Sequence, residues 1–106
     1  IKVLGVASRK RSSMLPDVPT GVESGLPGYE AYSWAALFAP AKTPQAVLDK
    51  INADFNTAMK DPAVRQRLLD AGAEADPGTQ EQMRQRLRGE LDKWAKVIKT
   101  AGITPG

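Results

Sequence analysis

The sequence predicts an α/β chain, with two or three strands in its first forty residues and three amphipathic helices after them. Three observations carry that prediction. Ile1 to Ser8 is β-branched and apolar apart from Lys2, the composition of a strand covered on both faces. Ala31 to Phe38 places Tyr32, Trp34, Ala36 and Phe38 on one face by the two-residue period. From Thr43 onward, apolar residues recur at helical spacing in three stretches, each opened by a recognisable start signal.

In chain order, the first strand leads into Arg9-Lys10-Arg11-Ser12-Ser13, a charged connector of small residues. Leu15-Pro16-Asp17-Val18-Pro19-Thr20 then reads as an extended segment, because each proline fixes its own φ and pushes its predecessor out of the helical region. Thr20 is placed to cap one short helical turn through Val22 and Glu23 that Gly25 ends, and Pro27-Gly28 makes a turn. The second strand, Ala31 to Phe38, stops at Pro40. Thr43-Pro44 starts a helix to about Lys60, with Val47, Leu48, Ile51, Phe55, Ala58 and Met59 along its stripe.

Asp61-Pro62 repeats the start signal for a shorter helix lined by Val64, Leu68 and Leu69 and ended by Gly72. Glu74 to Gly78 is a brief extended link. Thr79 and Gln82 form a capping-box pair for a last helix to about Ala101, which is expected to bury Met83, Leu87, Leu91, Trp94, Val97 and Ile98 before Gly102 ends it. Gly89 inside that helix reads as a mark of close packing.

Composition bounds what such a chain can do. At 106 residues it is one domain at most, with a small core; 42% hydrophobic and 25% charged residues describe a globular chain. No apolar run approaches the roughly 18 residues that span a bilayer. Fifteen Lys and Arg against twelve Asp and Glu leave a net charge of +3, too mild and too dispersed to indicate nucleic acid. Cysteine and histidine are both absent, which removes disulfides, thiolate nucleophiles, Cys/His zinc sites and imidazole bases; no cofactor or metal is expected. The chain opens on its first strand without Met, and that strand needs neighbours that a chain with at most two or three strands scarcely supplies, so a piece of a longer chain is expected.

The candidate chemistry is sparse. Arg9-Lys10-Arg11 reads either as an anion or partner contact or, more simply, as a solvated loop. Asp17 with Glu23, and Glu30 with Asp49, are carboxylates that no spacing places together at a cleft. Ser12, Ser13 and Ser24 lack a partner for nucleophilic catalysis. Tyr29, Tyr32, Trp34 and Phe38 fit the wall of a small-molecule pocket with Ser33 beside them, and fit a core better. Trp94 reads as a core residue.

Several ordered phrases resemble a known family. Val6-Ala7-Ser8-Arg9-Lys10-Arg11-Ser12, Leu15-Pro16-Asp17-Val18-Pro19-Thr20, Gly25-Leu26-Pro27-Gly28-Tyr29-Glu30, and Ser33-Trp34 leading to Leu37-Phe38-Ala39-Pro40-Ala41 with Thr43-Pro44 are similar to the carboxy-terminal third of the Bug receptors. These are the extracytoplasmic substrate-binding proteins of tripartite tricarboxylate transporters. Asp61-Pro62-Ala63-Val64-Arg65, Gly72-Ala73-Glu74, and Lys93-Trp94-Ala95-Lys96-Val97-Ile98-Lys99 with Ala101-Gly102-Ile103 continue the likeness over essentially the whole chain.

The resemblance implies a fragment of a type II periplasmic-binding-protein fold, whose two α/β lobes close on a small carboxylate. It implies a periplasmic receptor, not an enzyme, that hands its ligand to membrane transporter subunits. Residues 1–40 would be a hinge-proximal strand and crossover segment, and 41–106 the helical part of the amino-terminal lobe. Ligand carboxylates would be held by backbone amides and hydroxyls, with Ser8, Ser33 and Trp34 as this chain's contacts. The amino-terminal ligand loop and the Gly/Thr-rich motif of such receptors have no counterpart in these residues. Ala35-Ala36 replaces the bulky residue and Gly that often follow Trp34 in the family. The alternative is a truncated interaction module that self-associates to complete its sheet and binds nothing small.

Overall fold

The structure, a computed structural model, describes residues 1–104. It divides into two compact units, Ile1–Ala39 and Pro40–Gly106. The expected helical part, 41–106, runs two residues beyond the described ones.

In the first unit the two expected strands are not formed; among the described residues the backbone pairing is a single parallel bridge between Val6 and Thr20. The Val6 amide donates to Pro19 O at 2.9 Å and the Gly21 amide to Val6 O at 3.0 Å. On the opposite edge the Ala31 amide donates to Ala7 O at 2.9 Å. Residues 6 and 7 therefore sit between the 19–21 and 31 segments, the order of a three-stranded sheet reduced to one rung on each side. A ladder needs successive pairs, and Pro16 and Pro19 have no N–H to extend one. Ile1, Val3 and Leu4 are exposed, so the run that reads as a doubly covered strand has neither face covered here. Beyond the Ala31 bond, the Ala31–Phe38 stretch keeps its period only as far as Ala36: Tyr32, Trp34 and Ala36 are half-buried and Ser33, Ala35 and Leu37 exposed, but Phe38, expected on the covered face, is exposed as well.

The turn after Val6's partner is tightly built. Thr20, 3% exposed, accepts through Oγ1 from the Glu23 amide at 3.1 Å while its own amide donates to Glu23 Oε2 at 2.7 Å. This reciprocal pair has the form of a capping box, closed over the expected single helical turn, whose Ser24 amide donates to Thr20 O at 3.1 Å. Gly25 ends it at φ 86°, and Leu26-Pro27-Gly28-Tyr29 follows with the Tyr29 amide donating to Leu26 O at 3.1 Å. Pro at the second place and Gly28 at φ 76° in the third are what a type II turn requires.

The second unit contains α1 (Gln45–Lys60), α2 (Pro62–Asp70) and α3 (Gln80–Ala101). All three lie where the periodicity puts them. The starts of α2 and α3 follow their signals: Asp61 Oδ1 accepts from the Ala63 and Val64 amides at 2.7 and 3.2 Å, and Thr79 and Gln82 complete the expected capping box at 3.1 and 2.8 Å. At α1 the expected hydroxyl cap is absent. Pro44 precedes the helix instead of opening it, and its carbonyl accepts from the Val47 and Leu48 amides.

The joint between α1 and the start of α3 is polar. Asn56 Oδ1 accepts from the Gly78 amide at 2.9 Å, and Asn56 Nδ2 and Asn52 Nδ2 donate to Gly78 O at 2.8 and 3.1 Å. One turn further back, Asp49 Oδ1 accepts from both Gln45 Nε2 and Gln80 Nε2 at 2.7 and 2.8 Å. A Cβ at Gly78 would lie 2.9 Å from Gln82 Oε1, so glycine leaves the room the α3 capping box occupies.

No hydrophobic residue is fully buried among the described residues. Leu48, Phe55, Met59, Val64, Leu68, Leu69, Met83 and Leu87 are half-buried. The second half of the α3 stripe differs from expectation: Leu91 is 64% and Trp94 41% exposed, with Val97 and Ile98 similar. Trp94 is not a core residue in this chain. Its indole Nε1 donates to Glu90 Oε2 at 2.8 Å, and Lys93 Nζ lies 5.2 Å from its ring centroid. Gly89 is not a close contact either, since nothing lies within 4 Å of the Cβ it lacks.

Candidate functional site

The first unit holds an open cleft of about 440 Å³ lined by the Arg9-Lys10-Arg11 connector on one side and by Thr20, Glu23 and the Gly28–Glu30 corner on the other. Each wall is positioned by features already described. The connector leaves Val6-Ala7 at the point where the bridge and the Ala31 bond fix the backbone, and Ser8 Oγ donates to Lys10 O at 2.6 Å, holding the loop back on itself. The opposite wall is the Thr20–Glu23 knot and the type II turn.

Charge pairs bridge the two walls. Arg9 Nε donates to both Glu30 carboxylate oxygens at 2.8 and 2.9 Å. Arg11 Nε does the same to Glu23 at 3.2 and 3.1 Å, and Arg11 Nη1 donates to Pro16 O at 3.2 Å. The connector is therefore more than a solvated loop; two of its three cations clasp carboxylates 21 and 12 residues away. The Arg11 hydrogen bond, followed by that from the Thr20 amide, holds the Glu23 carboxyl below its ordinary pKa. Lys10, between the two arginines, lines the cleft without a carboxylate partner among the described residues.

Sequence reasoning missed these clasps because it paired Asp17 with Glu23 and Glu30 with Asp49. No spacing signal was available: the connector bends at residues 7–10, so the two-residue period of a strand does not say which way Arg9 and Arg11 point.

Of the residues expected to touch ligand, Ser8 is half-buried behind the cleft with its hydroxyl engaged at Lys10 O, Ser33 is exposed and Trp34 half-buried. None of the three lines the cleft. Ser8 and Ser33 stand one and two residues beyond the Ala7–Ala31 hydrogen bond. Tyr29 lines the cleft, and a Cβ at Gly21 would stand 2.7 Å from its Cδ1, so glycine at 21 lets the ring lie against the turn.

The arrangement offers cations, carboxylates and hydroxyls but no nucleophile with a base. No group of three or more His, Cys, Asp or Glu residues is placed to hold a metal ion among the described residues. Recognition of a polar small molecule is the chemistry it can support.

Comparison with known proteins gives a consistent result. Residues 1–103 match the family described as the tripartite tricarboxylate transporter family receptor. A Pseudomonas sp. (strain P51) protein, named for its place in the tcbD-tcbE intergenic region, is 37% identical over 99 residues, covering 92% of this chain and 30% of its own length. Among solved structures, R. palustris Rpa4515 with adipate is 35% identical with a TM-score of 0.77, over 97% of this chain and 34% of that one. The periplasmic binding protein BugD is 34% identical with a TM-score of 0.67, over 92% of this chain and 33% of that one. The chain thus spans about a third of the length of each of these three proteins.

Proposed function

This chain belongs to the tripartite tricarboxylate transporter receptor family, and from that premise we propose that it is the carboxy-terminal third of a periplasmic receptor for a small carboxylate. The family binds solutes and does not transform them. The observation that carries the proposal is the likeness, over nearly the whole chain, to a receptor solved with adipate. In this reading residues 1–40 supply a hinge-proximal strand and the crossover between lobes, and residues 41–106 belong to the amino-terminal lobe. Ligand is held by lobe closure and delivered to membrane transporter subunits. Ser8, Ser33 and Trp34 are the contacts this chain contributes; the hydrogen bond between Ala7 and Ala31, which draws their two segments together, supports that placing.

Calorimetric titration with adipate and with a tricarboxylate tests the proposal when run beside a measurement of mass in solution. Saturable heat from a monomer is the expected outcome. A second reading, a module that pairs with another copy along its first ribbon, is favoured by the exposure of Ile1, Val3 and Leu4. A dimer that gives no heat with either ligand would establish that reading in place of the first.

A further inference from the structure

The three cations of the cleft are not equivalent. Arg9 and Arg11 are each committed to a carboxylate across it, whereas Lys10 between them meets no acid among the described residues. Three bases and two acids line the cleft, and the positive charge left over stands at Lys10. The acids do not cancel it. Both Glu30 oxygens accept from Arg9, both Glu23 oxygens accept from Arg11, and Glu23 Oε2 accepts from the Thr20 amide as well.

The backbone beneath that charge is held from three directions. The neighbours of Lys10 are clasped to Glu30 and Glu23, and its own carbonyl accepts from Ser8 Oγ at 2.6 Å. Little chain ordering is therefore needed when the ammonium takes a ligand. Beside it the wall is apolar: Val22 and Tyr29 line the cleft, each about half exposed. The Tyr29 ring is a fixed surface, lying so close to Gly21 that a Cβ there would stand 2.7 Å from Cδ1. A volume of about 440 Å³ lies within the range of small-molecule sites, roughly 300–1,000 Å³. We infer that this cleft binds a small aromatic anion, with its carboxylate or phosphate group on Lys10 and its ring against Tyr29 and Val22. Stacking on Tyr29 favours such a molecule over an inorganic ion, and the single spare cation favours it over a polyanion. None of Ser8, Ser33 and Trp34 lines the cleft, so this site is separate from the contacts of the receptor reading and does not rest on it.

NMR titration of the isotopically labelled 106-residue chain at constant ionic strength tests the inference. Benzoate and phenyl phosphate are the probes; acetate, which lacks the ring, and benzyl alcohol, which lacks the charge, are the controls. The expected result is saturable shifts at Lys10, Val22 and the Gly28–Glu30 amides with a probe, and binding about fivefold weaker or less with either control, the worth of one exposed contact. The tighter of the two probes identifies the head group. Lys10→Gln replaces an exposed side chain that has no acid to lose, and should weaken the probe about fivefold. Lys10→Arg should restore it, and Ser33→Ala should leave it unchanged. Absence of saturable shifts at the cleft with both probes overturns the inference. So does a control that binds as well as the probe, or an affinity that Lys10→Gln does not alter. Adipate that shifts Ser33 and Trp34 without displacing the probe keeps the two sites apart; displacement of the probe by adipate overturns the second site.

Discussion

Glu23 is the residue on which the first unit turns. Its carboxylate accepts from Arg11 and from the Thr20 amide, while the Glu23 amide donates to the Thr20 hydroxyl oxygen. Because these donors hold its folded pKa below the ordinary value, the stability it contributes is fully present above the unfolded-state pKa. It is lost as pH falls through the depressed folded value. Melting the chain at a series of pH values through the carboxylate range should show an acid limb that Glu23→Gln flattens. An unchanged limb in that variant would assign acid sensitivity elsewhere. Thr20 was legible in the sequence as a cap; its partnership with Glu23 was legible too, from the Thr-x-x-Glu spacing, but the reach of Arg11 into the same knot was not, since it depends on a chain reversal at Leu15-Pro16 that no local pattern measures.

At the scale of elements, the helices were readable and the strands were not, for a physical reason. A helix satisfies its backbone within itself, so the stripe and cap of α3 appear in the sequence that forms it. A strand is satisfied by its neighbours, and Ile1–Ser8 finds a partner at only one or two positions. Burial was misread for the same reason: the α3 stripe shows which residues share a face, not whether anything lies against it.

Two substitutions test the helical unit. Gly89 sits in a helix interior with open space around it, so Gly89→Ala should stabilise by about 0.5–1 kcal/mol in denaturant melts; a loss of stability there would mean that the site is occupied. Asn56→Ala removes the acceptor of the half-buried Gly78 amide and one of the two donors to its carbonyl, and should cost about 1–3 kcal/mol. Asn56→Asp retains the acceptor but sets a carboxylate oxygen against Gly78 O in place of the donor, and so should also destabilise. If both variants melt like the wild-type chain, the joint contributes nothing to stability. The i, i+4 polar spacing of Asn52 and Asn56 on an otherwise amphipathic helix was the available signal for this joint.

For the whole molecule, the two units are held by different forces. The first relies on exposed Arg–carboxylate clasps, with Arg9 and Arg11 side chains 75% and 46% exposed; the α1–α3 joint of the second uses the neutral Asn56 carboxamide and the Gly78 peptide. Salt screens the former and leaves the latter nearly untouched. Amide hydrogen exchange at rising salt should therefore accelerate at Thr20 and Gly21 while the Gly78 amide keeps its protection. Uniform acceleration in both units would show that they open together. The same contrast explains what the sequence could and could not convey about the candidate site: three basic residues in a row announce charge, but which acids they meet is decided by turns ten to twenty residues away.

The knot at Thr20 and Glu23 also bears on the order in which the chain assembles. Its two partners are three residues apart, whereas the Val6–Thr20 bridge closes a loop of fourteen. Short loops close sooner, on the order of tens of nanoseconds for about ten residues, so the corner can stand before the opening ribbon arrives. The opening ribbon would then meet a finished dock, and a mutation that unties the corner should slow docking more than it speeds release.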